Sequence, residues 1–427
     1  MAAQHPTPYE TSSLWSEESS PVVAQSPIEP DSGDDDQSVL SSTRSLRESV
    51  FEFITENGRT YNRYGNYFLP SDEPENERLN LQYVVLQQLF ENKEHFAPLQ
   101  TPRRILDIGT GTGIWCTEMG KKYPRCEIIG TDIAAVQTVP PQPNVKYIIE
   151  DANDENWGTK RYDYIHTRMM LGAFKDFRVI IKRAFDYLEP GGYMESQEMW
   201  PRAMCDDGTL DPETHKFSEW IKYQDEAAMR LGMPLRIANK LKKWYAEAGF
   251  VDIREEILRI PINGWPKDPR YKMLGKWWGR SLLDGLQGFT LALFTRAFNW
   301  SPEEVEVYLV DVRRSIMDRS VHAYHSIYIV YGRKPTLAEQ KIIEERKARE
   351  AMEAEARSNA EQALYPGFPE EQKSRTSQDR AAAEWTQHAR ASQDQQTSNN
   401  RFLSGTTGEN SNRRPRQAFS SSPHSNV

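Results

Sequence analysis

Residues 105–115 constrain the fold of this chain more than any other segment. They read Ile-Leu-Asp-Ile-Gly-Thr-Gly-Thr-Gly-Ile-Trp, an apolar stretch with one acid followed by three glycines at alternate positions. Glycine lacks a Cβ atom, so such a backbone can turn sharply and lie close to a ligand. A helix that starts directly afterwards presents free N–H groups and a partial positive charge to that ligand. The segment therefore predicts a strand, a binding loop and a helix at the carboxyl edge of a parallel sheet.

Strand-like and helical segments alternate along the residues that follow. Such alternation indicates a parallel sheet with right-handed crossovers and helices on both faces. We predict an α/β fold: a Rossmann-like, doubly wound, mostly parallel seven-stranded sheet with a helical insertion near residues 265–320, before the last strand. The strands are predicted at residues 104–108, 127–131, 145–150, 162–166, 193–197, 250–260 and 321–331.

Composition divides the chain into an ordered centre and two polar ends. Only 38% of the 427 residues are hydrophobic, and the ends are rich in Ser, Pro, Gln and Asn, a composition typical of disorder. We expect a disordered leader at 1–50, an aromatic loop and helix at 51–98, the α/β domain at 99–333, a charged helix at 334–364 and a disordered tail at 365–427.

Charge and cysteine content exclude several classes of function. The net charge of −9 disfavours broad nucleic-acid binding, which needs a cationic surface. The three cysteines form no CxxC and have no zinc spacing, so neither a metal site nor a disulfide framework is expected. We see no secretory signal and no apolar run long enough to span a membrane. A cytoplasmic or nuclear protein, or one found in both compartments, fits these features.

Acids follow the glycine run at positions that suit a nucleoside. Asp132 closes the second predicted strand, about 20 residues after the glycines, where a carboxylate can accept hydrogen bonds from both ribose hydroxyls. Asp151, after the third strand, is placed to accept a hydrogen bond from the exocyclic amine of adenine. Each aspartate also has a structural alternative: Asp132 as a helix N-cap or turn residue, and Asp151 as the N-cap of a helix over residues 153–157. The pattern predicts a cofactor that contains adenosine.

Two cofactor classes fit an adenosine held in this way. A dinucleotide site commonly has the spacing G-x-G-x-x-G and binds a pyrophosphate, but here the third glycine, Gly113, falls one position early. Asp107 would repel a pyrophosphate, whereas it would attract the α-amino group of S-adenosylmethionine. The sulfonium of that cofactor also suits an acidic and aromatic pocket. S-adenosylmethionine is the predicted cofactor, and an NAD(P)-dependent oxidoreductase is the alternative.

These residues resemble a known family. Residues 106–113 are similar to the first motif of the class I S-adenosylmethionine-dependent methyltransferases. Asp132, Asp151 and the Pro-Gly-Gly turn at 190–192 lie where that class has its later motifs. A narrower resemblance, to the fungal LaeA-like methyltransferases, rests on residues 56–61, 67–70, 78–79 and 162–168. That group includes regulators of secondary metabolism.

The resemblance implies roles for individual residues. His166 and Arg168, at the end of the fourth strand, would face the methyl group or the acceptor, with His166 as the candidate base. Their structural alternatives are a buried strand-end histidine and a surface-paired arginine. The residues implied to contact the cofactor are Asp107, Gly109, Gly111, Gly113, Asp132 and Asp151.

Other side chains are candidates for the acceptor side. Glu195 is expected near the end of the fifth strand, at the border of the acceptor pocket. Tyr61 and Tyr64 belong to an aromatic segment that would cover the site, although packing against the first helix is an equal interpretation. No metal is expected.

The resemblance implies transfer of a methyl group to an oxygen or nitrogen of a small metabolite or a protein, in the regulation of fungal secondary metabolism. A regulator with little or no catalysis, acting through partner proteins, is the alternative within the same fold.

Overall fold

The computed structural model describes residues 53–62 and 67–364. The predicted leader, the predicted tail and Tyr64 lie outside the described residues.

Nine strands form a small hairpin and one large sheet in this part of the chain. The hairpin pairs the first two strands in antiparallel register. The strands are β1 (Phe53–Glu56), β2 (Arg59–Asn62), β3 (Arg104–Ile108), β4 (Glu127–Asp132), β5 (Val145–Ile149), β6 (Tyr162–Arg168), β7 (Leu188–Met204), β8 (Val251–Pro261) and β9 (Tyr324–Arg333).

The large sheet has seven strands in the order β5-β4-β3-β6-β7-β9-β8. Neighbours from β5 to β7 are parallel, whereas β9 runs antiparallel to both β7 and β8. The predicted fold class, a mostly parallel seven-stranded sheet, is confirmed. Because β4 and β6 lie on opposite sides of β3, the chain reverses its direction of winding there, and a crevice opens at the carboxyl ends of these strands.

Helices connect the strands and cover the sheet. Several begin at a residue whose side chain accepts a hydrogen bond from the first turn; Ser301 forms a complete capping box with Glu304. The helices are α1 (Glu73–Leu89), α2 (Ile114–Lys122), α3 (Phe177–Tyr187), α4 (Lys216–Arg230), α5 (Leu241–Ala248), α6 (Pro269–Phe298), α7 (Pro302–Met317) and α8 (Leu337–Leu364), with a short 3₁₀ turn at Ala238–Lys240.

The helices α6 and α7 form the predicted insertion between β8 and β9. The long helix α6 packs against α1, α4, α7 and β8. Its close approach to the end of β8 depends on glycine: a Cβ atom at Gly279 would lie 2.5 Å from the carbonyl oxygen of Ile262. Buried side chains of these helices, including Trp278 and Phe294, form one core with the sheet.

The helix α8 belongs to a second unit that begins at Ala338. Nearly all its side chains from residue 341 to residue 360 are exposed.

Among the described helices, none combines the length and the apolar character that crossing a membrane requires.

Candidate active site

A cavity of about 640 Å³ lies at the carboxyl ends of the parallel strands. One side is formed by the loop between β3 and α2 and by the ends of β4 and β6, which is where ligands bind in open α/β sheets. The other side is formed by the helices α1, α4 and α6. A single cavity therefore joins the crevice of the sheet to the helical insertion.

The glycine loop adopts a backbone that only glycine adopts readily. Gly109 and Gly111 have φ values of +70° and +54°, and both line the cavity. A Cβ atom at Gly111 would find no heavy atom closer than Leu79 Cδ1 at 3.7 Å. The open space in front of Gly111 fits a ligand that lies flat against this loop.

Gly113 serves the turn and does not line the cavity. It has a φ of +84° and caps the start of α2. The Tyr147 hydroxyl donates a hydrogen bond of 2.9 Å to its carbonyl oxygen, and a Cβ atom at Gly113 would collide with the Tyr147 ring. The contact of Gly113 with the cofactor stays a prediction, while in this structure the absence of a side chain here allows the chain to enter the helix.

Asp132 ends β4 and lines the cavity. Its carboxylate accepts hydrogen bonds from the backbone N–H of Gly111 at 2.8 Å and of Ala134 at 3.1 Å. Burial raises the pKa of this carboxyl to about 6, against the lowering effect of these hydrogen bonds. Asp132 thus fixes the glycine loop from within the cavity.

Asp151 follows β5 and also lines the cavity. Its Oδ1 atom accepts hydrogen bonds of 2.8 Å from both the backbone N–H and the side-chain amide of Asn153. This is a turn and not the N-cap of a helix over residues 153–157, since no helix forms there, and the turn places Asp151 beside the cavity.

Asp107 and His166 are neighbours because β3 pairs with β6 in a register that sets these two residues side by side. His166 Nδ1 lies 2.8 Å from Asp107 Oδ1, and the imidazole stacks on Trp115 with 4.0 Å between the ring centroids. The Nε2 atom of His166 is buried and has no partner among the described residues. All three residues line the cavity.

Arg168, two residues further along β6, places a guanidinium group at the cavity. Its Nε donates a hydrogen bond of 2.7 Å to Gln197, and the guanidinium lies over the rings of Tyr83 and Phe90. Neither Nη1 nor Nη2 has a partner within the part of the chain that the structure describes. Arg168 is therefore not the surface-paired arginine of the alternative reading.

Glu195 does not lie at the cavity, contrary to expectation. Its side chain is fully buried, and its carboxylate accepts hydrogen bonds from the backbone N–H groups of Phe96 and Ala97 and from the Gln197 amide. The position on a central strand directs this carboxylate towards the chain that follows α1. Glu195 stabilises that connection and is not an acceptor-pocket residue.

Tyr61 does not line the cavity either. It is 1% exposed, and the guanidinium of Arg296 lies 5.0 Å from the centroid of its ring. Burial raises the pKa of Tyr61 to about 12. Its two neighbours in the aromatic segment, Tyr67 and Phe68, line the cavity in its place.

The far side of the cavity was largely missed by sequence reasoning. Its residues come from α1, α4, α6 and β9, which are far apart in the chain. Hydrophobic spacing in α1, α4 and α6 marks buried faces without distinguishing a core from a pocket. The residues of this side include Arg78, Leu79, Trp220, Gln224, Trp278, Ser281, Leu282, Phe289 and His325.

Comparison with known families agrees with this geometry. The methyltransferase-domain family matches residues 81–255, a range that contains the glycine loop and both aspartates that line the cavity after it. The methyltransferase pytC of Aspergillus terreus is 35% identical over 301 residues, which cover 69% of this chain and 92% of that protein.

Two further relatives extend the similarity. The secondary metabolism regulator LAE1 of Cochliobolus heterostrophus is 33% identical over 66% of this chain and 94% of that protein. The protein-methionine methyltransferase laeA of Emericella nidulans is 30% identical over 66% of this chain and 77% of that protein.

Proposed function

Since this chain belongs to the S-adenosylmethionine-dependent methyltransferases, in the LaeA-like group, we propose that it methylates an oxygen or nitrogen atom of a small metabolite or a protein. The observation that carries this proposal is that one cavity extends from the glycine loop to a largely apolar space under α6. A methyl donor and its acceptor could therefore bind side by side. Family membership disfavours the NAD(P)-dependent oxidoreductase that the glycine spacing left open.

The residues at the sheet edge fit the cofactor part by part. The open face of Gly111 accommodates the methionine chain, Asp132 accepts hydrogen bonds from the ribose hydroxyls, and Asp151 accepts one from the adenine amine. These three positions are supported by their common location on the cavity wall.

The methionine end of S-adenosylmethionine carries an α-amino group and a carboxylate, so its site needs one negative and one positive side chain. Arg168 offers two unpartnered guanidinium nitrogens, which suit a carboxylate, and Asp107 offers the negative partner for the α-amino group. Asp107 shares its Oδ1 atom with His166, so its remaining lone pairs would make this contact.

The bound sulfonium supplies both the methyl group and its own leaving group. The protein's part is to align the acceptor atom and to exclude water. A carboxylate only accepts hydrogen bonds, so Asp107 holds the proton of His166 on Nδ1 and leaves the Nε2 lone pair free. His166 is thereby oriented to take a proton from an acceptor that must lose one.

A regulator that acts through partner proteins is the second candidate. It is favoured by one observation: a relative with 33% identity over 94% of its own length carries the name of a secondary metabolism regulator. We place either form in the cytoplasm, the nucleus or both, and we assign it a role in secondary metabolism.

Two experiments test these proposals. Calorimetry should show one site for S-adenosylhomocysteine and none for NAD⁺; the opposite result would remove the methyltransferase assignment. A cell extract supplied with a methyl-labelled donor should then yield a labelled product that depends on the protein. Binding of the donor without any label transfer, together with a stable partner in a pull-down, would favour the regulator.

A further inference from the structure

The part of the cavity beneath α6 has walls that are mostly apolar and aromatic. Trp220 and Ile221 come from α4, Trp278 and Leu282 come from α6, and Phe289 follows about two turns later in the same helix. Methionine side chains at residues 199 and 233 complete the wall. Flat rings and polarizable thioethers of this kind favour an aromatic occupant.

The polar side chains of this region are already paired with one another. Arg78 forms two hydrogen bonds with Glu75, at 2.7 and 2.9 Å, within a fully buried ion pair. The indole N–H of Trp220 donates to Thr290 at 2.9 Å. No charge is left over in this wall to meet a charged occupant, and burying an unpaired charge is strongly unfavourable.

His325, at the start of β9, is the exception. The Trp278 indole Nε1–H donates a hydrogen bond of 3.1 Å to His325 Nδ1. An indole nitrogen is a donor only, so Nδ1 must be the accepting, unprotonated nitrogen. Burial lowers the pKa of His325 to about 4, so the ring is neutral at physiological pH and its proton resides on Nε2.

This Nε2–H group is a buried donor without a partner in the described part of the chain. His325 is 2% exposed and lines the cavity. A buried donor that lacks an acceptor costs free energy, and a ligand atom that accepts from it removes this cost.

We propose that the space beneath α6 binds an uncharged aromatic methyl acceptor, anchored by a hydrogen bond from His325 Nε2–H to an oxygen or nitrogen of that molecule. The inference rests on the proposed function, which supplies the methyl donor in the adjoining half of the cavity. His325 is a positioning and specificity residue in this account, separate from the candidate base His166.

An isosteric pair of probes isolates this hydrogen bond. 2-Methoxynaphthalene and 2-ethylnaphthalene have nearly the same shape, but only the first carries an accepting oxygen. With the protein saturated by S-adenosylhomocysteine, we expect 2-methoxynaphthalene to bind about 5-fold more tightly, the ratio that one net hydrogen bond gives. The anion 2-naphthoate should bind more weakly than either probe.

Two substitutions of His325 distinguish the roles of its two ring nitrogens. In His325→Asn, the amide oxygen takes the place of Nδ1 and keeps the Trp278 hydrogen bond, while the Nε2 donor is lost. The affinity for 2-methoxynaphthalene relative to 2-ethylnaphthalene should then fall to about 1. In His325→Gln, the amide nitrogen takes the place of Nε2, so the preference should persist. His215→Asn is the matched control, because His215 is a half-buried histidine with unpartnered nitrogens that does not line the cavity.

The outcomes distinguish the inference from the proposed function. Failure of S-adenosylhomocysteine to bind would overturn the proposed function itself. If S-adenosylhomocysteine binds, two kinds of result overturn the inference. In the wild-type protein these are equal affinity for the two neutral probes, no binding of either, or tighter binding of 2-naphthoate. In His325→Asn it is a preference for 2-methoxynaphthalene that survives the substitution. Should His325→Asn fail to fold, the wild-type ratio and the His325→Gln ratio decide the question.

Discussion

At the scale of a single residue, Asp132 combines a structural role with a proposed binding role. Its carboxylate holds the N–H groups of Gly111 and Ala134 and so fixes the glycine loop. The same carboxylate faces the cavity where the ribose is proposed to bind. Replacing it should therefore weaken the cofactor site more than a structural carboxylate elsewhere would.

We expect Asp132→Ala to weaken S-adenosylhomocysteine binding by about 1.5–3 kcal/mol, the usual value for a hydrogen bond to a charged group. Calorimetry measures the change. Asp163→Ala is the control: Asp163 also accepts two backbone N–H groups, from Arg103 and Arg104, but at the opposite edge of the sheet. An equal loss of affinity in both variants would contradict the ribose assignment.

Glu198 is a single residue that should make the stability of the protein depend on pH. Burial raises the pKa of this carboxyl to about 8, although the Met170 N–H donates to it at 2.7 Å. The pKa of Glu198 is higher in the folded protein than in the unfolded chain. Its contribution to the free energy of unfolding is therefore complete at low pH and is lost as the pH rises towards 8. Glu198 is therefore protonated in the folded protein at neutral pH.

Glu198→Gln removes this titration. Denaturant unfolding should show that the variant gains at least about 1 kcal/mol relative to the wild type between pH 5 and pH 8. Glu247→Gln, at an exposed position, should show no such gain. A stability difference between Glu198→Gln and the wild type that stays constant with pH would refute the assignment.

Sequence reasoning at this scale picked out residues that line the cavity, but not the partners of their side chains. Asp107, Gly109, Gly111, Asp132 and Asp151 line the cavity because a strand, a tight loop and a helix force them to the same sheet edge. The contact between Asp107 and His166 depends on strand register, which a single sequence does not specify. Glu195 was misplaced for a similar reason, because its partners lie nearly 100 residues away.

At the scale of elements, the packing of α6 on the end of β8 rests on backbone contact. A Cβ atom at Gly275 would collide with the carbonyl oxygen of Asn263, and Gly279 meets Ile262 in the same way. These carbonyl groups belong to the main chain and cannot turn aside as a flexible side chain can.

Gly275→Ala should therefore destabilise the protein by about 1–3 kcal/mol, as overpacking usually does. Alanine normally stabilises a helix relative to glycine, so the expected sign is reversed. Gly288→Ala in the same helix is the comparison, since a Cβ atom there would meet only side-chain atoms, of Arg59 and Pro70, both at 3.1 Å, and no main-chain carbonyl group. Thermal and chemical unfolding measure both, and a Gly275→Ala variant as stable as the wild type would contradict this packing.

Element boundaries were predictable where periodicity was strong. The strand at 104–108 was predicted as it is observed, whereas the strand expected over 193–197 extends over Leu188–Met204. The last strand starts at Tyr324, three residues later than expected. Local pattern marks an element, and tertiary packing decides where it ends.

At the scale of the whole molecule, alternation of strands and helices was enough to predict the sheet and its insertion. The helical side of the cavity, where we propose that the acceptor binds, was not predictable in the same way. It depends on contacts such as that between Arg78 and Ser281, which are 203 residues apart. Sequence pattern therefore points to the half of the cavity at the sheet edge, and only the folded chain places the other half.

The most direct test of the central claim is a crystal structure of the protein with bound S-adenosylhomocysteine. We predict the ribose hydroxyls within hydrogen-bond distance of Asp132, the homocysteine chain against Gly111, and the sulfur facing the space beneath α6. A nucleoside bound elsewhere, or a cavity that remains empty at saturating ligand, would contradict the account.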